Sequence, residues 1–323
     1  MDFIQYRSAK QKVRLITLVI LLAVFVCVLF FKSGEPSAQN TIDDPDDGRP
    51  VQRILFIGNS RTYANDMPAM VREMGRERGR GLGKGQEKAA PFRYEITVHA
   101  LGGHTFEDHY QNPAVQKLLA QQWDYVVLQG GSPENTNPDS SVSFAKYGQS
   151  LVGLVQKAGS QPVLLTAWAY DENSYDSENE IYLKPYYLEY AASYQDYIAQ
   201  HGKPPEGRSA PETFFPLDIK KHYAFIQRDY DALSDKTNAL MVNVGEAFRE
   251  LLVSSRFKTL TSDGNHPNLQ GSYLMAAMFH VCFSKEPASA IGYRPSGLSE
   301  DDAMELLAFI DRFYPSGTCL VNP

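Results

Sequence analysis

The sequence predicts a three-layer α/β/α domain, built on a five-stranded, mostly parallel, doubly wound sheet and preceded by one transmembrane helix. Three observations predict it. Short apolar runs of strand length alternate along the chain with segments of helical periodicity, and strands joined through helices lie parallel in one sheet. The first such run, Ile54-Leu55-Phe56-Ile57, is uninterrupted, the pattern of a strand covered on both faces. Far upstream, between Leu15 and Phe31, Thr17 alone interrupts a stretch of apolar residues.

That upstream stretch is long enough to cross a bilayer with slight tilt or local thinning. Arg7, Lys10, Lys12 and Arg14 precede it, whereas Lys32 and then Glu35, Asp43, Asp44, Asp46 and Asp47 follow. The positive-inside rule therefore puts the N-terminus in the cytoplasm and everything after residue 50 on the far side, in the periplasm of a cell with two membranes. The expected organisation is a cytoplasmic tail over 1–12, a transmembrane signal anchor over 13–32, a flexible linker over 33–50 and a folded domain over 51–323. A cleaved signal peptide fits less well, because the apolar core exceeds the usual length and no small-x-small site follows closely. Cys27 has no small residue before it, which argues against a lipid-attachment site. The linker is polar and acidic and carries Pro36, Pro45, Gly48 and Pro50.

A chain of 323 residues, 43% hydrophobic and 21% charged, has ample length for a sizeable buried core. A formal charge of -7 argues against a nucleic-acid partner, which needs a basic surface. The basic residues Arg72, Arg76, Arg78, Arg80 and Lys84 lie among glycines and read as a solvated helix end and loop.

Within the domain, Ile54 to Ile57 form the first strand, closed by Gly58, and a helical pattern runs from about Asp66 to Arg78 with Met67, Met70, Val71 and Met74 as its core face. Residues 79–91, rich in Gly and Lys, are expected to form a loop. Phe92 to Ala100 alternates as a second strand, and Trp123 to Leu128 is a third. A helix over Phe144 to Ala158 leads to a fourth strand over Pro162 to Ala167, ending at Trp168. The segment 170–222 is too long for a simple connection. It places Tyr170, Tyr175, Tyr182, Tyr186, Tyr187, Tyr190, Tyr194 and Tyr197 around one helix, as a lid or substrate wall or as the fastening of a surface subdomain. Then come a helix over 222–235, a fifth strand over Ala239 to Val244, and helices over Glu246 to Val253, Gly271 to Phe283 and Glu300 to Phe313. Cys282 and Cys319 can pair in an oxidising compartment or remain separate. No Cys/His cluster has zinc-ligand spacing, and neither a metal nor another cofactor is expected.

Ser60 lies two residues past the glycine that ends the first strand, where an α/β sheet delivers residues to its ligand crevice. A serine there also starts turns or caps helices, so a second observation is needed. It comes at Ser262-Asp263-Gly264-Asn265-His266-Pro267. An Asp three residues ahead of a His lets the carboxylate reach one imidazole nitrogen while the other points outward as a general base. Gly102-Gly103, after the second strand, leaves room for a backbone N–H to approach a reacting carbonyl oxygen. His104 and His109 nearby read as solvated loop residues rather than catalytic ones.

Gly58-Asn59-Ser60 with Thr62, Gly102-Gly103, and Asp263-x-x-His266-Pro267 followed by Gly271-Ser272-Tyr273-Leu274 resemble the ordered blocks of the SGNH (GDSL-type) hydrolases, over residues 51–283. The resemblance implies that family's three-layer fold and a Ser60, His266 and Asp263 triad. It further implies an oxyanion hole formed by the N–H groups of Ser60 and Gly103 with a third donor. At the third block the chain departs from the family's common Gly-x-Asn. Gln129-Gly130 is similar instead to the pair in the carbohydrate acetylesterase branch, which makes Gln129 the third donor, with Ser132 as the alternative.

The expected function is that of a membrane-anchored, extracytoplasmic serine esterase removing acetyl or other small acyl groups from a cell-envelope or exported polysaccharide. Two other readings remain open: acyl transfer to a sugar hydroxyl on the same triad, and a non-catalytic glycan-binding or assembly protein on a hydrolase scaffold.

Overall fold

The strand over Val51–Gly58 is the one from which the sheet grows in both directions. The computed structural model describes residues 40–42, 48–76, 78–79, 88–89, 92–131, 134–136, 138–170, 183–206, 210 and 219–314. In chain order the strands are β1 (Asn40–Ile42), β2 (Val51–Gly58), β3 (Arg78–Gly79), β4 (Lys88–Ala89), β5 (Arg93–Ala100), β6 (Tyr125–Leu128), β7 (Gln161–Leu165) and β8 (Leu240–Val242). The helices are α1 (Ser60–Tyr63), α2 (Met67–Arg76), α3 (Phe106–Gln111), α4 (Pro113–Leu119), α5 (Pro138–Lys157), α6 (Leu183–His201), α7 (Ile219–Thr237), α8 (Val244–Ser254), α9 (Leu269–Ser284) and α10 (Glu300–Phe313).

The main sheet has the order β1-β5-β2-β6-β7-β8. The pairings of β2 with β5 and β6, of β6 with β7 and of β7 with β8 are all parallel, which gives the expected five-stranded parallel sheet. From β2 the chain steps to β5 on one side, then returns to β6 and continues outward to β8 on the other. That reversal opens a crevice beside the carboxyl end of β2, the place where such sheets bind ligands.

Because successive strand residues face opposite ways, β2 feeds two cores at once. Ile54 and Phe56 pack with α2, α8, α9 and α10, whereas Leu55 and Ile57 pack with α3, α4, α5 and α7. All four are completely buried, which is why this run carries no polar residue. Helix α9 is buried from Gly271 through Ser284, so it has no polar stripe and forms a rigid floor under one face of the sheet. Cys282 on that helix is disulfide-bonded; Cys319 lies outside the described residues.

Several expected boundaries shift. Thr41 and Ile42, inside the expected linker, belong to β1, which forms the edge of the sheet beside β5; both are β-branched and suit extended backbone. The expected loop over 79–91 contains the short antiparallel pair β3 and β4. Helix α5 begins at Pro138, ahead of the expected Phe144, since proline is tolerated in a first turn. The ends of the long insertion meet: the Tyr170 and His222 rings stack with centroids 5.7 Å apart, both residues being buried. Tyr175 and Tyr182 lie outside the described residues, as does the expected anchor over 13–32. Among the described residues no helix is long and apolar enough to cross a membrane.

Candidate active site

The turn after β2 is built by close approach. A Cβ on Gly58 would come within 2.2 Å of Thr62 Oγ1 and 3.0 Å of Gln129 Oε1, so only glycine fits there. Asn59 then caps α1, its side chain accepting from the Arg61 N–H at 3.1 Å. The same side chain donates through Nδ2 to the carbonyls of His104, at 3.0 Å, and Gly130, at 3.2 Å. One buried asparagine thus ties the nucleophile turn to the loops that follow β5 and β6. Ser60, the first residue of α1, is left half-exposed at the carboxyl end of the sheet.

The partner loop lies between α8 and α9. An isolated bridge between Thr261 and Pro267, together with Ser262 N–H donating to the His266 carbonyl at 2.8 Å and Asn268 N–H to the Leu260 carbonyl at 2.9 Å, closes it into a tight ring. Gly264, with φ of +79°, makes the turn inside it. Asp263 Oδ1 accepts from the N–H groups of Asn265 at 3.0 Å and His266 at 2.7 Å, while Oδ2 lies 2.7 Å from His266 Nδ1. Burial by itself would raise this carboxyl. The His266 ring and the two backbone donors outweigh that and hold it below the usual carboxylate range. With Nδ1 carrying the proton toward Asp263, Nε2 is left as an acceptor, and it lies 2.8 Å from Ser60 Oγ. Ser60, His266 and Asp263 therefore form a continuous hydrogen-bonded chain in which the hydroxyl proton has an acceptor and the resulting imidazolium has a counter-charge.

Gly103 lies exposed at the adjoining edge with φ of +74° and open space where a side chain would stand. Gln129 directly follows β6. It is completely buried beneath the turn; its Oε1 accepts from Asn59 N–H at 3.1 Å and Thr62 Oγ1 at 3.0 Å, and its Nε2 donates to the Gly130 carbonyl. The oxygen of the amide thus braces the turn that carries Ser60, while its nitrogen has a second N–H beyond the one given to Gly130. Ser132, the alternative, lies outside the described residues.

His109, expected to be solvated, is completely buried under the Gly102-Gly103 loop, its ring 5.3 Å from that of His104 and 5.9 Å from that of His99. Burial, reinforced by repulsion from those two imidazoles, pushes its pKa down to about 3, so it stays neutral. Sequence reasoning also passed over Glu134, whose carboxylate accepts from the N–H groups of Phe106 and Gly131 and so joins the loops after β5 and β6. Burial pushes this carboxyl up to about 8 against the pull of those donors. A charged residue three places past a Gly-Gly pair was its only mark in the sequence. Among the described residues no group of three or more His, Cys, Asp or Glu is arranged to hold a metal ion.

No family model and no curated protein matches the chain. Solved structures do. A DUF4886 family protein from Bacteroides uniformis is 18% identical and matches with a TM-score of 0.56, over 83% of this chain and 97% of that one, which shows a shared fold. A candidate SGNH hydrolase from Slackia heliotrinireducens is 23% identical with a TM-score of 0.48, over 73% of this chain and 100% of that one. Axe2, an acetylxylan esterase from Geobacillus stearothermophilus, is 17% identical with a TM-score of 0.42, over 76% of this chain and 96% of that one. The likeness to the Bacteroides uniformis protein is one of layered α/β fold.

Proposed function

We propose that this protein is a serine ester hydrolase, anchored in the cytoplasmic membrane by residues 13–32, that removes acetyl or other small acyl groups from an extracytoplasmic polysaccharide. The hydrogen-bonded chain from Ser60 through His266 to Asp263, at 2.8 Å and 2.7 Å, carries the reading. Ser60 Oγ attacks the acyl carbon while its proton passes to His266 Nε2. The carbonyl π electrons move onto oxygen, and the N–H groups of Ser60 and Gly103 receive that charge. The tetrahedral adduct collapses to an acyl-serine as the sugar oxygen leaves with the proton from His266. Water, deprotonated by the same nitrogen, then repeats the sequence and releases the acid and free Ser60. Asp263 keeps its negative charge throughout and stabilises the imidazolium. Gln129 braces the turn from below through its Oε1, and its amide nitrogen is the third oxyanion donor that the resemblance implies, with Ser132 as the alternative.

The polysaccharide assignment is supported by the Gln129-Gly130 resemblance and by the charge asymmetry around the apolar N-terminal stretch. Full-length protein should hydrolyse p-nitrophenyl acetate and take up a fluorophosphonate probe, and Ser60→Ala should do neither. An Ala variant that turns over ester at the parental rate would sink the reading. Acetylated oligosaccharide formed from an activated acetyl donor, in place of free acetate, would move the assignment to acyl transfer.

A further inference from the structure

Two contacts outside the proton-transfer chain bear on its geometry. Arg61, next to the nucleophile, is 1% exposed, and its Nε donates to Asn265 Oδ1 at 2.8 Å while Nη1 donates to the Trp168 carbonyl at 3.1 Å. The guanidinium lies 4.7 Å from the Trp168 ring centre and 5.0 Å from that of Tyr170, a stacked setting that a planar cation suits. Trp168 closes the arrangement by donating Nε1–H to the Asn265 carbonyl at 2.9 Å. Asn265 immediately precedes His266.

The second contact holds the other side. Asn65 Nδ2 lies 2.8 Å from the Pro267 carbonyl and 2.9 Å from Ser272 Oγ, and Pro267 immediately follows His266. Ser272 in turn donates to the Ala64 carbonyl at 3.2 Å. Asn65 reaches across from a left-handed backbone, φ 52° and ψ 24°, which asparagine adopts more readily than most residues.

We propose that Arg61 and Asn65 are positioning residues that clamp the catalytic loop on both sides of His266 and thereby set its distance from Ser60. The inference rests on the hydrolase reading above. The loop's own hydrogen bonds fix His266 against Asp263, three residues away, but not against Ser60, which is 206 residues distant in sequence. That second distance must come from contacts crossing between the two segments, and these two bracket the histidine. A misplacement of about 1 Å at such a bond costs about a hundredfold in rate.

The experiment uses full-length protein, p-nitrophenyl acetate turnover and the fluorophosphonate labelling rate. Asn65→Gly keeps the positive φ and removes the side-chain bonds; Asn265→Ala removes the acceptor for Arg61 Nε together with an amide 3.5 Å from His266 Nε2, and Asn265→Asp, which drops that amide but keeps the acceptor, is its control and should stay near parental kcat. Asn65→Gly and Asn265→Ala should each lower kcat about tenfold to a hundredfold with KM within about twofold, and Asn65→Gly should do so with Tm lowered by several degrees at most, the protein staying folded at the assay temperature. Arg61→Met should lose at least as much; if it fails to fold, Asn265→Ala decides that side of the clamp. Parental kcat in both Asn65→Gly and Asn265→Ala, or a loss confined to KM or Tm, overturns the proposal. Ser60→Ala separates the two levels: an active Ala variant removes the hydrolase reading, whereas an inactive one beside fully active Asn65→Gly and Asn265→Ala removes only the clamp.

Discussion

The turn that carries Ser60 and the rim that surrounds it are held by opposite means. At the turn, Gly58, Asn59, Arg61 and Thr62 are all buried, and their partners Gln129, Gly130, His104 and Asn265 come from distant parts of the chain. At the rim, Asp263 and His266 are half-exposed and hold each other through bonds that span three residues, while Gly103 projects with nothing within 4 Å of where a methyl group would stand. A buried turn cannot relax without disturbing several loops. A rim loop closed on itself can lose a side chain and keep its shape. Damage at the turn should therefore appear in stability and activity together, and damage at the rim in activity alone.

The sharpest separation is expected from Asp263→Asn. The variant keeps an oxygen for the loop's N–H donors but reverses the tautomer preference of His266, so kcat should fall about ten-thousandfold. Because the group is only partly buried, Tm near neutral pH should change little; unfolding of the loop in step with the activity loss would break the comparison. The sign with pH follows from its depressed pKa. Whatever stability Asp263 contributes is present above its unfolded pKa and is lost as pH falls through the lower folded value, so acid should erase the stability difference between parent and variant.

Gln129→Ala is the matching test at the turn. It leaves the buried Asn59 N–H and Thr62 hydroxyl without their acceptor, at about 1–3 kcal/mol, and Tm should drop by several degrees along with the fluorophosphonate labelling rate. A hundredfold loss of kcat at unchanged Tm would leave Gln129 only the oxyanion role that the sequence resemblance implies. The smallest effect on stability is expected at Gly103→Ala, which retains the N–H and meets no neighbouring protein atom. Only the cost of a positive φ, about 1 kcal/mol, should register in thermal unfolding. A collapse in ester turnover with normal unfolding would show that substrate occupies the space above Cα.

What could be read beforehand divides along the same line. The strands were legible because each is a short apolar run between turn residues, and both faces of β2 are covered, so burial wrote itself into Ile54 to Ile57 without interruption. Asp263 and His266 were legible because their interaction is local and its spacing is visible in the chain. The struts were not. Nothing in a single sequence says that Gln129 points down beneath Asn59, or that Arg61 crosses to Asn265, since these depend on which loops meet at the end of the sheet. Arg61 in particular is unmarked in the sequence and is fully enclosed, a placement made possible by two aromatic faces and acceptors contributed from elsewhere. The edge strand β1 was hidden for a related reason: its three residues pair with β5, more than fifty residues later in the chain.

The separation of 206 residues between Ser60 and His266 has a consequence for the life of the chain on the ribosome. The segment bearing the hydroxyl is made long before the imidazole, and an elongating chain that has reached only Trp168 or Tyr230 holds a serine no more reactive than any other alcohol. Reactivity therefore switches on late, once the loop at 263–267 has been synthesised and has docked across the first strand's end. A chain interrupted anywhere before that loop lacks two of the three groups of the proposed triad.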